Sequence, residues 1–218
     1  MRAASVAFAA RVAKTRNMQH DHHHHDHARD GAKQPNRFDP ARAARLDDPA
    51  RFAYLPSARV FELLAVPPGA SVCDFGTGTG TYAIELARSR LDVRVLALDE
   101  QPEMLDMLRA KPAAQALANL HPMLPDQLAN ERGQIQRVLA VNVLHELGDD
   151  ALAELAALLA PDGFALMIDW NAATDRPTGP PAEHVYTPDA ATERLRAAGF
   201  AVRAHASFPY HYALTVTR

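Results

Sequence analysis

Between Val72 and Ala87 the chain reads VCDFGTGTGTYAIELA: a short apolar run, an aspartate, three glycines at alternate positions, then an amphipathic stretch. No other feature restricts the fold as much. A strand closing at Asp74, a turn through Gly76, Thr77, Gly78 and Gly80, and a helix opening near Thr79 place backbone amides at the carboxyl edge of a sheet. Ligands of open α/β sheets bind at that edge. Gly76 and Gly78 admit positive φ or the close approach of a ligand, and Gly80 lets the helix lie against the strand.

After Pro68 the alternation repeats. VRVLALD (Val93 to Asp99) and IQRVLAVNVL (from Ile135) read as strands, as does FALMIDW (Phe164 to Trp170). Helices separate them. Pro102 suits a first helical turn, with Met104, Leu105 and Leu108 inward. DDALAELAALLA starts on Asp149 or Asp150 and faces inward with Leu152, Leu155 and Leu159, and PDG stops it. Thr187 and Pro188 form an N-cap and N1 pair, and Gly199 ends that helix. AVRAHASF and YALTVTR then follow with no helix between them. The pattern predicts an α/β fold, doubly wound around a mostly parallel seven-stranded sheet, with an antiparallel C-terminal hairpin at one edge. The stretch from Lys111 to Gly133 marks its strand poorly; only Asn119 to Met123 qualifies.

Three regions follow: an appendage over 1–36, a helical lid over 37–66 broken by Pro49 and Pro56, and the main domain over 67–218. With 48% hydrophobic residues and a net charge of −3, the chain can bury a core, and its near-neutral charge gives no argument for a nucleic-acid partner. No apolar run approaches the ~20 residues of a membrane span. A single cysteine, Cys73, excludes an intrachain disulfide and a multi-cysteine metal site, so a reducing cytoplasm is the expected setting. Oligomeric state is not legible. Residues 1–19 carry four basic residues and no acid, the composition of an organelle transit peptide or of a start placed upstream of Met18. Next to them lie six imidazoles, His20, His22, His23, His24, His25 and His27, which could bind Zn, Ni or Cu; adventitious affinity is the plainer reading.

Two cofactor classes use a turn like that at Gly76. Dinucleotide enzymes favour G-x-G-x-x-G, which cradles a pyrophosphate. Here the spacing is G-x-G-x-G, and Asp74 would repel pyrophosphate but suit a ligand with an amino group and a positive centre, such as S-adenosylmethionine. Asp99, nineteen residues after Gly80, can accept hydrogen bonds from two ribose hydroxyls in either class.

DFGTGTG, LALDEQPEML and RVLAVNVLHEL, in that order, resemble the motifs of class I S-adenosylmethionine-dependent methyltransferases, near the ubiquinone/menaquinone-biosynthesis-like branch. RFDPARAARLDDPARFAYLP, IDW, GPPAEHVY and PYHY resemble segments of one small subgroup of it. The resemblance runs from Arg37 to the C-terminus. It implies a methyl transfer to a small-molecule acceptor. It places Asp74, Gly76, Thr77, Gly78 and Gly80 in the first motif, Asp99, Glu100, Gln101 and Met104 at ribose and adenine, and Asn142 and Val143 beneath the methyl donor. Two departures stand out. No clear aspartate follows the third strand, where Asp126 is the nearest candidate, and Gln136 stands where the fourth strand often has one.

Catalytic candidates are histidines at the carboxyl edge. His145 is either a base or substrate ligand, or a helix-start residue bonded to backbone; Glu146 either orients it or caps the next helix. His184 lies in a proline-rich loop. His211, between the last strands, either faces the acceptor or is solvated, and Trp170 either walls the acceptor or covers the sheet end. The rival readings are an NAD(P)-dependent reductase, for which no Tyr-x-x-x-Lys pair is present, and a non-catalytic binding protein with a metal-binding tail.

Overall fold

The computed structural model describes residues 37–205 and 208–218. The appendage, with its histidine tract, lies outside them.

Strands β1 (Ser71–Phe75), β2 (Arg94–Leu98), β3 (Leu120–Met123), β4 (Ile135–Val141), β5 (Leu159–Trp170), β6 (Ala201–Ala204) and β7 (His211–Thr217) form one sheet in the order β3-β2-β1-β4-β5-β7-β6. The first five run parallel; β7 is antiparallel to both neighbours, with Ile168 opposite Ala213 and Val202 opposite Val216. The expected architecture is therefore present, and the edge belongs to β6.

Helices α1 (Arg51–Tyr54), α2 (Ser57–Leu64), α3 (Thr81–Ser89), α4 (Pro102–Ala110), α5 (Pro112–Gln115), α6 (Asp149–Leu158) and α7 (Pro188–Ala197) cover the sheet. The two-residue period of β1 sorts its side chains. Val72 buries against Val60 and Leu64 of α2 and Leu86 of α3; Cys73 and Phe75 bury with Leu155 of α6 and Leu195 of α7. Asp74 points to the α2/α3 side, so the strand that builds the core also delivers a buried carboxylate to its end. The caps form as the sequence predicts: Thr187 Oγ1 accepts from Ala190 N at 3.2 Å, and Pro102 and Pro188 occupy first turns.

Three boundaries differ from expectation. Strand β3 holds Pro122, which blurs its pattern; it survives because β3 is an edge strand and needs only one ladder of hydrogen bonds. Strand β5 begins at Leu159, five residues before Phe164, because Leu159 already pairs Ile135 before a register shift at Arg137. At this irregularity a Cβ on Gly163 would stand 2.7 Å from the Ile135 carbonyl. Helix α2 belongs to the core, since Val60 and Leu64 are wholly buried. Among the described residues no helix is long and apolar enough to cross a membrane.

Candidate active site

A cavity of about 930 Å³ opens at the carboxyl ends of β1, β2 and β4. Its floor is the glycine turn. Gly76 N and Thr77 N donate to the Leu98 carbonyl at 2.9 and 2.8 Å, Gly80 N donates to the Thr77 carbonyl, and Gly78 N donates to Asp99 Oδ2 at 2.8 Å. These amides are engaged within the protein, so they form no cradle for a pyrophosphate. Gly76 takes φ 73° and Gly78 φ 55°; a Cβ there would meet Val143 at 2.6 Å and Leu46 at 2.8 Å. Protein side chains thus occupy the space that the glycines clear.

Two carboxylates meet this floor. Asp74 accepts from Thr77 Oγ1 at 2.7 Å; burial pushes its carboxyl up to about 6, against the Thr77 bond and the positive charge of Arg51. Asp99 accepts from Gly78 N through one oxygen and from Gln101 N, at 3.0 Å, through the other; burial raises its carboxyl too. Each oxygen retains a lone pair for a ligand.

The segment from Arg37 to Tyr54 crosses the opening. Phe38 N donates to Glu146 Oε2 at 3.2 Å, Gln101 Nε2 donates to the Phe38 carbonyl at 3.2 Å, and Arg37 pairs with Glu100 at 2.8 Å. At the other end Asp47 Oδ1 accepts from Thr79 Oγ1, Thr81 Oγ1 and Lys111 Nζ. Arg51 lines the cavity with its guanidinium 5.1 Å from the Tyr82 ring centre and its Nε buried without a partner. Asp48 merely starts the next turn, accepting from Ala50 N.

On the opposite wall Asn142 follows β4 with φ 59°, a left-handed conformation rare outside glycine, and its buried Oδ1 has no partner. Beside it Glu146 faces the cavity, and burial pushes its carboxyl up to about 7 although His145 opposes this. His145 Nδ1 lies 2.9 Å from Asp169, whose Oδ2 also accepts from His145 N at 3.0 Å. Burial lowers the His145 imidazole, but Asp169 and Glu146 more than offset it and the net direction is up.

The expected cofactor residues gather as one group: Asp74, Gly76, Thr77, Gly78, Asp99, Glu100, Gln101, Met104, Asn142 and Val143 all line the cavity. Gly80 stands behind them, where a Cβ would clash with Leu108 of α4. The three catalytic histidines do not line it. His145 sits one residue behind the wall, turned to Asp169. His184 is exposed on the short turn Ala182–His184. His211 is neither solvated nor facing the cavity. It belongs to β7 and is buried between Tyr54, stacked at 5.7 Å, and Trp170, at 4.1 Å, where burial drives the imidazole down to about 3. Asp126 is exposed, while its neighbours Pro125 and Leu128 supply an apolar wall. Gln136 accepts from Ser71 N and is structural. Among the described residues no group of three or more His, Cys, Asp or Glu could hold a metal. Sequence reasoning missed Arg51, which carries no spacing signal, and gave Glu146 no place in the cavity because acidic residues near helix starts are commonplace.

Residues 72–163 match a family model described as a methyltransferase domain. Over that stretch the chain is similar to S-adenosylmethionine-dependent methyltransferases. A crystal structure of an S-adenosylmethionine-dependent methyltransferase from Aquifex aeolicus is 27% identical and superposes with a TM-score of 0.76, over 83% of this chain and 98% of that one. An uncharacterized methyltransferase of Mycobacterium bovis is 35% identical over 107 residues, 48% of this chain and 41% of the relative. The release factor glutamine methyltransferase of Escherichia coli is 28% identical over 99 residues, 42% of this chain and 36% of that protein. The chain therefore spans well under half the length of these curated relatives. The stretch matched by the family model runs from β1 into β5 and contains both Asp74 and Asp99.

Proposed function

We propose that the protein transfers a methyl group from S-adenosylmethionine to a small-molecule acceptor, and that it belongs near the ubiquinone/menaquinone-biosynthesis-like branch its motifs resemble. One observation carries the reading: two buried carboxylates, Asp74 and Asp99, flank a glycine turn whose amides are already engaged, in one cavity. Such a floor repels pyrophosphate and favours a ligand with hydroxyls at one end and cationic groups at the other.

The residues fit that ligand. Asp99 would accept from both ribose hydroxyls, and Gln101 and Met104, which line the same cavity, would border adenine. Asp74 and the unpartnered Asn142 Oδ1 offer acceptors to an ammonium. The unpartnered Arg51 Nε offers a donor to a carboxylate. When bound, S-adenosylmethionine supplies a methyl on a positively charged sulfur. The protein's task is then chiefly to hold the acceptor in line behind that methyl and to exclude water. Strong negative charge at the sulfur would oppose the step, since its charge vanishes on the way to products. Val143 supplies an apolar neighbour there.

A small acceptor is favoured because the Arg37–Tyr54 segment is fastened at Glu146, Gln101 and the glycine turn, and so acts as a lid. The enclosed volume is of the size that takes one or two small molecules, ~300–1,000 Å³. The buried Cys73 suits a reducing cytoplasm. Calorimetric titration of the full chain with S-adenosylhomocysteine and with NADH tests the proposal. Binding of the first alone is expected; NADH binding without it would overturn the reading.

A further inference from the structure

Glu146 has a setting that helix capping does not explain. It is in the short turn Leu144–Glu146 between β4 and α6, yet it caps nothing: its Oε2 takes the Phe38 N–H of the lid. Its Oε1 lies 3.6 Å from His145 Nε2. That imidazole is held from behind by Asp169, the last residue but one of β5, which accepts from both the ring and the backbone N–H of His145. Asp169 is wholly buried and also accepts from Trp170 N, so it cannot turn away. The result is a row: Asp169, His145, Glu146, cavity.

Resting on the methyl-transfer reading above, we propose that Glu146 is the catalytic base, that His145 and Asp169 are its positioning residues, and that the acceptor's nucleophilic atom carries a proton it must lose, as an ammonium or hydroxyl does.

The row supplies what such a base requires. Glu146 faces the cavity and keeps one oxygen free of strong bonds. Asp169 fixes the His145 ring with Nδ1 as donor and turns Nε2 toward Glu146. An imidazolium there steadies the ionised carboxylate. The groups acting on Glu146 are His145 and the Phe38 N–H, which favour its ionised form, and Asp169 and Asp99, which oppose it; burial is the largest influence and raises it. A base whose carboxyl releases its proton near neutrality is both available and strong enough to take one. The step balances. The acceptor's proton passes to Glu146, its lone pair forms the bond to the methyl carbon, the carbon–sulfur pair leaves with sulfur, and the proton returns to water from Glu146. Acceptors without such a proton, such as thioethers and tertiary amines, would have no use for the row.

The test uses the full chain saturated with S-adenosylhomocysteine and labelled with ¹³C at glutamate carboxyls. One signal, identified by its loss in Glu146→Gln, is expected to titrate near 7. In His145→Gln its midpoint should move upward, because a neutral side chain replaces the cation. In Asp169→Asn the His145 ring, followed by ¹⁵N, should titrate lower. With any protic acceptor that the wild type turns over, Glu146→Gln should lower kcat about 100-fold or more and leave the KM for S-adenosylmethionine within a few-fold. A Glu146 midpoint in the ordinary carboxylate range, or one unmoved by His145→Gln, overturns the proposal. Failure of the wild type to bind S-adenosylhomocysteine would instead overturn methyl transfer itself.

Discussion

Replacing Asp74 by Asn should make the ligand-free protein more stable while damaging its function. The carboxyl ordinarily releases its proton at 3.8, and burial delays this to about 6 in the folded state. The folded state thus holds the proton more tightly than the unfolded chain does. Below pH 3.8 both states are protonated and nothing is lost. As pH rises from 3.8 to 6 the unfolded chain ionises first, and the folded state loses stability by about 3 kcal/mol, a loss complete above pH 6. Asparagine never ionises and can still accept from Thr77 Oγ1. Urea unfolding of wild type and Asp74→Asn at pH 4, 6 and 8 measures the difference. The variant should gain about 3 kcal/mol at pH 8 and almost nothing at pH 4. An Asn variant that is less stable at pH 8, or whose gain is the same at every pH, would refute the reasoning. The variant should also bind S-adenosylhomocysteine more weakly, since the carboxylate's desolvation is what a cationic ligand relieves.

Asp99→Ala removes the acceptor for Gly78 N and Gln101 N and, on the present reading, for the ribose. Calorimetry should show S-adenosylhomocysteine binding weakened by about 1–3 kcal/mol. An unchanged Kd would contradict the ribose assignment. Gly78→Val sets a β-branched residue at φ 55° and drives its Cβ into Leu46. Circular dichroism should report a folded protein that no longer binds; retained affinity would place the ligand elsewhere. Asp47→Ala removes the lid's bonds to Thr79 and Lys111 and leaves it, at that end, the single bond from Thr81 Oγ1 to the Leu46 carbonyl. Stopped-flow release of S-adenosylhomocysteine should accelerate several-fold, and an unchanged rate would mean that the Arg37–Tyr54 segment does not gate the cavity.

Periodicity made most of the fold legible. Apolar runs of strand length, proline at N1 and glycine past the last turn located β1, β2, β4, α4 and α7 without any tertiary information. The failures were local. Pro122 hid β3, because proline argues against a strand unless the strand is known to be an edge. Leu159–Gly163 read as a helix end, because pairing with Ile135 is a contact with β4 and leaves no local mark. The floor of the cavity was legible through the glycines and two aspartates at fixed offsets, which are constraints on the backbone. The opposite wall was not. Imidazole chemistry singled out His145, His184 and His211, but burial decides what an imidazole can do. His211 is sealed between Tyr54 and Trp170, His184 is exposed, and His145 stands behind Glu146, which the sequence left as either its orienting partner or a helix cap.

The sheet order also sets a timetable for synthesis. Strand β6 is made before β7 yet can join the sheet only through it, so Ala201–Ala204 must wait, unpaired, until His211–Thr217 has arrived. The same late strand carries the ring that Trp170 and Tyr54 enclose, so the far wall of the molecule is sealed last. Pulse-labelled hydrogen exchange during refolding should find β6 amides among the slowest to gain protection; early protection there would show that the edge assembles by another route.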